Sequence, residues 1–121
     1  MLIQKLNACD EFIAGDGTQL RELLDPDKQA VDLRYSLAHA ALPAGQTSVL
    51  HSLTTSEVYY ILNGVGEMHI DDENQFVEAP DAVYQKLGRK PRPYRTTLIS
   101  TRCEDWLNIH TLIVQFLAHK V

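Results

Sequence analysis

What most limits the fold of this chain is its period-two alternation of apolar and polar residues, in short runs broken by Gly, Pro, Asp and Asn. Successive side chains of a strand point to opposite faces, so such runs read as strands with one face buried. Leu33, Tyr35, Leu37 and Ala41 alternate with Arg34, Ser36, Ala38 and Ala40, which predicts a strand over 32–42, and Pro43-Ala44-Gly45 then turns the chain. Further strands are expected over 18–24, 49–53, 57–62, 67–70, 75–77, 82–85, 96–101 and 111–118. Asn63-Gly64 is the strongest hairpin signal, because both residues tolerate positive φ. Asp71 to Asn74 makes the next turn, and Asp25-Pro26-Asp27 closes the strand over 18–24. The one helical turn expected lies over Ala8–Phe12, capped by Asn7. Many short strands with almost no helix imply an all-β sandwich or barrel.

Length and charge narrow the function classes. The 121 residues suit one domain with one core, and the 45% apolar content excludes a disordered chain. No apolar run approaches the roughly 18 residues of a membrane helix. The opening Met1 to Phe12 holds acids where a signal peptide needs an apolar stretch, which leads us to expect a cytoplasmic protein. Cys9 and Cys103 form no Cys-x-x-Cys pair and read as two free thiols. Charge is uneven: residues 1–85 hold four Lys/Arg against fourteen Asp/Glu, a balance of −10, whereas 86–121 hold seven against two, a balance of +5. The basic cluster of Lys86, Arg89, Lys90, Arg92 and Arg95 reads as a solvated loop, since the acidic remainder opposes a nucleic acid.

Gly45, His51, Glu57 and Gly64 stand at the spacing of a known motif: Gly, five residues, His, one, His, three or four, Glu, six, Gly. On these residues, and on the wording from Tyr35 to Asp71, the first 85 residues resemble the small single-domain cupins. The resemblance implies a cupin-type β-barrel, a jelly roll, with little helix. One cupin domain is expected over 1–121, family-like over 1–85 and divergent over 86–121. In cupins with the whole motif, two His, the Glu and a later His hold one divalent metal, Fe, Mn, Ni, Zn or Cu. Here Leu53 replaces the second His. The second motif, set on Pro80, Lys86, Gly88, Pro91 and Arg95, agrees only at Gly88, so the last His is missing where cupins place it. Two protein ligands are fewer than the three a catalytic metal normally keeps.

His51 and Leu53 share one strand face, and Glu57, Tyr59 and Ile61 share another. With both faces turned into a barrel, His51 and Glu57 meet in the lumen, as a metal-free hydrogen-bonded pair or as metal ligands. Buried, Glu57 requires a partner. Leu53 and Tyr59 would complete the lining, whereas His39 and His69 read as ordinary strand residues, His69 exposed. Three functions stand as expectations. The first is a small-molecule-binding cupin with His51, Leu53, Glu57 and Tyr59 around the ligand. The second is a metal-dependent enzyme of dioxygenase, isomerase or decarboxylase type, with metal at His51 and Glu57. The third is a protein-interaction module using the basic C-terminal segment. The apolar strand over 111–118 needs a covered edge, which leads us to expect a homodimer with exchanged strands.

Overall fold

The structure, a computed structural model, describes residues 1–49, 51–52, 55–85, 96–100 and 109–116, with the backbone alone described for 51–52, 96–100 and 116. Among them are ten strands: β1 (Glu11–Ile13), β2 (Gln19–Leu24), β3 (Tyr35–Leu42), β4 (His51–Ser52), β5 (Glu57–Asn63), β6 (Val65–Ile70), β7 (Glu73–Glu78), β8 (Ala82–Gln85), β9 (Thr96–Ser100) and β10 (Ile109–Phe116). They form a six-stranded sheet, β1-β2-β3-β10-β5-β8, and a four-stranded sheet, β4-β9-β6-β7, with every pairing antiparallel. The expected all-β jelly-roll barrel is what the chain forms. No helix among the described residues is long and apolar enough to cross a membrane.

The core lies between the sheets. Leu42, Tyr59, Ile61 and Ile109 enter it from the larger sheet, Met68 and Val77 from the smaller, and Ile70, Val83 and Ile113 pack against them. Along β5 burial alternates: Glu57, Tyr59 and Ile61 are buried, while Tyr60 and Leu62 are exposed. That is the pattern of a strand with one face on a core and one on solvent.

Four expectations need correction. Residues 8–12 form no helical turn: a 3-10 turn covers Leu6–Ala8, its cap position is Lys5, and β1 begins at Glu11. Glu11, Phe12 and Ile13 pair with Arg21, Leu20 and Gln19, and that ladder outweighs a single turn's weak propensity. Asn63-Gly64 closes no hairpin, because β5 and β6 belong to different sheets. Only Gly64 takes positive φ, 91°, whereas a type I′ hairpin turn needs it at both central residues. β5 is paired on both edges, by β10 and β8, so the chain leaving Gly64 crosses to the opposite sheet. The Asp71-Asp72 turn does join a hairpin, with Ile70 opposite Glu73 and Asp71 at φ 52°.

The third correction concerns the last strand, which is no uncovered edge. β10 sits between β3 and β5, hydrogen-bonded to both, so the edge argument for a dimer fails. Fourth, His69 is half-buried, with 15% of its side chain exposed; its Nδ1 lies 2.8 Å from Asn74 Oδ1, and its Nε2 lies 3.5 Å from Glu67 Oε1. The basic cluster 86–95, Leu53 and Cys103 lie outside the described residues.

Candidate functional site

A cavity of about 160 Å³ lies against the inner face of the six-stranded sheet. Its walls follow from strand periodicity: Ser36, Ala38 and Ala40 on β3, Glu57 and Tyr59 on β5, and Thr111, Ile113 and Gln115 on β10. Residues directly paired across a ladder share a face, and the register puts Thr111 opposite Ala40 and Ile113 opposite Ala38. β3 turns its small side chains inward and Leu37 and His39 to the other face. That choice leaves the space open, since Ser and Ala on a central strand cannot fill a barrel.

Glu57 and Tyr59 are the polar centre of this wall. They stand two residues apart on β5 and so point the same way. Glu57 is 6% exposed and Tyr59 3%, and the Tyr59 hydroxyl donates a hydrogen bond to Glu57 Oε2. A buried carboxylate without a donor would be costly, and Tyr59 supplies one. Asp16, Thr18 and Ser48 bring further oxygen atoms to the cavity. Asp16 Oδ1 accepts from the Thr18 amide at 3.0 Å and from its hydroxyl at 2.7 Å, which fixes that loop. Gln115 is held by a hydrogen bond, its Nε2 donating to Thr55 Oγ1 at 3.0 Å.

Of the residues singled out in the sequence, Glu57 and Tyr59 are together in this wall. His51 lies on β4 in the opposite sheet, paired with Thr97, so β4 and β5 are not neighbours in one sheet; its side chain and Leu53 lie outside the described residues. Among the described residues no three His, Cys, Asp or Glu side chains gather as a metal-holding group. Sequence reading misses Ser36, Ala38, Ala40, Thr111 and Gln115. Their signal is present: a small-residue phase on β3, and a Gln set in the apolar run Leu112 to Phe116.

No family model matches the chain. An uncharacterized protein of Methanocaldococcus jannaschii is 40% identical over 74 residues, which are 60% of this chain and 58% of that protein, so the match spans less than two thirds of the relative. Among solved structures, the fold is similar to a Cupin 2 conserved barrel domain protein from Salinispora arenicola, with TM-score 0.78, 16% identity, and coverage of 98% of this chain and 90% of that one. It is also similar to a predicted oxalate decarboxylase from Thermotoga maritima, with TM-score 0.75, 18% identity, and coverage of 96% and 99%. A third likeness is to a polyketide cyclase from Streptomyces resistomycificus, with TM-score 0.78, 16% identity, and coverage of 96% and 79%.

Proposed function

We infer from the fold of this chain, which is that of a small cupin domain, that it binds a small molecule between its two sheets. The observation that carries this reading is the cavity of about 160 Å³ with the buried Glu57–Tyr59 pair in its wall. A space on the order of 150 Å³ holds a ligand the size of a six-membered ring. The apolar wall of Ala38, Ala40 and Ile113 takes the ligand's body, while Glu57, Tyr59 and Thr111 orient a polar group on it. In this reading His51 and Leu53 close the lumen from the opposite side. The working unit in this reading is a cytoplasmic homodimer.

The test is a panel of small alcohols, amines, acids and ring compounds screened by amide chemical-shift perturbation. Binding is expected to move the Ala38, Glu57 and Thr111 amides, and Ala38→Leu, which fills the space, should abolish the shifts. A panel that leaves these amides unmoved, or shifts that survive Ala38→Leu, overturns the reading.

A second reading, a metal-dependent enzyme, draws support from fold neighbours described as a predicted oxalate decarboxylase and a polyketide cyclase. It assigns a divalent ion to His51 and Glu57. The donor set fits that ion poorly, because Glu57 already accepts from Tyr59 and Leu53 supplies no ligand. Elemental analysis of untagged protein decides it: about one equivalent of Fe, Mn, Ni, Zn or Cu supports the enzyme, and less than roughly a tenth excludes it.

A further inference from the structure

A second cavity, of about 400 Å³, opens on the flank of the barrel, between the edge of the smaller sheet and the edge of the larger one. Among the described residues β7 is hydrogen-bonded only to β6, and β8 only to β5, so a seam separates β7 from β8. Residues 79–81, where the chain passes from β7 to β8, shut the seam at one end. There the Asp81 amide donates to the Glu78 carbonyl at 2.7 Å, and Asp81 Oδ2 accepts from the Glu78 amide at 2.9 Å. None of the described residues around this cavity lines the lumen cavity against β3, β5 and β10.

Its walls are of two kinds. Met68 and Val77 of the core cluster, with Ile70 and Val83 packed against it, make an apolar floor. Glu73 and Gln75 stand opposite Ile70 and Met68 in the β6–β7 ladder and so share their inward face, yet both are exposed. An inward phase without burial marks the open mouth of the seam. Glu73 therefore stands at the mouth and Asp81 at the closed end, and no Lys, Arg or His is among the described lining residues. The strand sets the distance between these acids: five steps along β7, from Glu78 to Glu73, at ~3.4 Å each amount to roughly 17 Å. A contact of ~2.8 Å from a cation to the carboxylate at each end leaves about 11 Å between two cations.

We propose that this seam binds a linear aliphatic diammonium ion, with one ammonium group on Asp81, the other on Glu73, and the methylene chain along the floor. Spacing excludes a single metal ion, whose oxygen ligands would all have to lie within about 2.6 Å of it. An alkylammonium group has the chemistry of the Lys head and stays charged at neutral pH. With carbon–carbon bonds of ~1.5 Å in a zigzag, the span between the two cations takes roughly eight methylene groups. Methylenes laid on Met68, Ile70, Val77 and Val83 leave water, which supplies the hydrophobic part of the affinity. The two carboxylates, both on exposed residues, select the sign and the length of the ligand. Asp81 can serve because the Glu78 amide uses one lone pair of a group that has about four. The balance of −10 over residues 1–85 draws cations toward the chain.

Amide chemical-shift titration of the full chain with diaminooctane, at neutral pH in ~0.15 M salt, tests this. We expect saturable shifts at Glu73, Gln75, Asp81 and Val83 below ~10 mM ligand. Diaminopropane, too short to reach both acids, should bind at least about tenfold more weakly, and octylamine, with one charge, at least about threefold. Glu73→Gln and Asp81→Asn remove a charge and keep an acceptor, and each should weaken diaminooctane about threefold or more. Gln75→Arg sets a cation in the seam and should weaken it at least about tenfold. Asp72→Asn, in the adjoining turn and outside the cavity lining, should change the affinity by less than about 1.5-fold. Ala38→Leu fills the lumen and should leave this titration unchanged, so the seam and the lumen reading fail separately. No saturation by ~10 mM, or equal affinity for diaminopropane, overturns the proposal. So does an Asp72→Asn loss equal to that of Glu73→Gln, which means diffuse attraction, or a loss in Ala38→Leu, which puts the ligand in the lumen. Should Asp81→Asn fail to fold, undiminished affinity in both Glu73→Gln and Gln75→Arg overturns it.

Discussion

Tyr59→Phe isolates the hydroxyl that the cavity wall depends on. The ring of Tyr59 is buried, 3% exposed, and packs in the core cluster with Ile61 and Met68, so removing only its oxygen leaves that packing in place. What is lost is a hydrogen bond to a carboxylate, worth about 1.5–3 kcal/mol when the acceptor is charged, from a group only 6% exposed to water. We expect a loss near 2 kcal/mol, or a fall in Tm of roughly 6–10 °C for a domain of this size. Glu57→Gln keeps an acceptor for the hydroxyl and should cost less, under about 1 kcal/mol. The double variant should show coupling of about 1 kcal/mol or more. Urea unfolding monitored by fluorescence at neutral pH measures all three. A Tyr59→Phe protein within about 0.5 kcal/mol of wild type would refute the claim that this hydroxyl satisfies the buried acid.

Three further outcomes separate core from surface and test the turn geometry. Ile61→Ala, at a fully buried position, should lose about 3–4 kcal/mol in urea unfolding, whereas Phe76→Ala, 70% exposed, should stay within about 0.5. Gly64→Ala forces a side chain into the left-handed region at φ 91° and should cost about 1–2 kcal/mol, while Asn63→Ala, outside that region, should cost under about 0.5 by the same measurement. His69→Ala removes the contact with Asn74 and should cost about 0.5–1 kcal/mol, more than an exposed histidine would.

Where the sequence reads well, the reason is period: strands β3, β5 and β8 appear within a few residues of the alternation that predicts them, and Glu57 and Tyr59 share the inward face that spacing assigns. Pairing is less legible. Asn63-Gly64 carries the composition of a hairpin, but a strand leaving a turn can pair back only where an edge is free, and β8 and β10 take both edges of β5. The location of the cavity escapes the sequence for a related reason. Hydrophobicity singles out Leu33, Tyr35 and Leu37, while the lumen is made by the smaller residues of the other phase, which matter through the volume they leave empty. The edge argument for a homodimer does not hold, because β10 has no open edge. The apolar run of β10 is long because both its neighbours come from the same chain.

That position of β10 governs how the protein is made. Until residues 109–116 have left the ribosome, β3 and β5 have no strand to bridge them, and the larger sheet exists only as halves with open edges. Closure joins Phe116 to Tyr35, partners some eighty positions apart, so the loop-entropy cost falls on the step that seats β10. A nascent chain stalled before that step presents unpaired, apolar β edges to its surroundings, and the cell must shield it there.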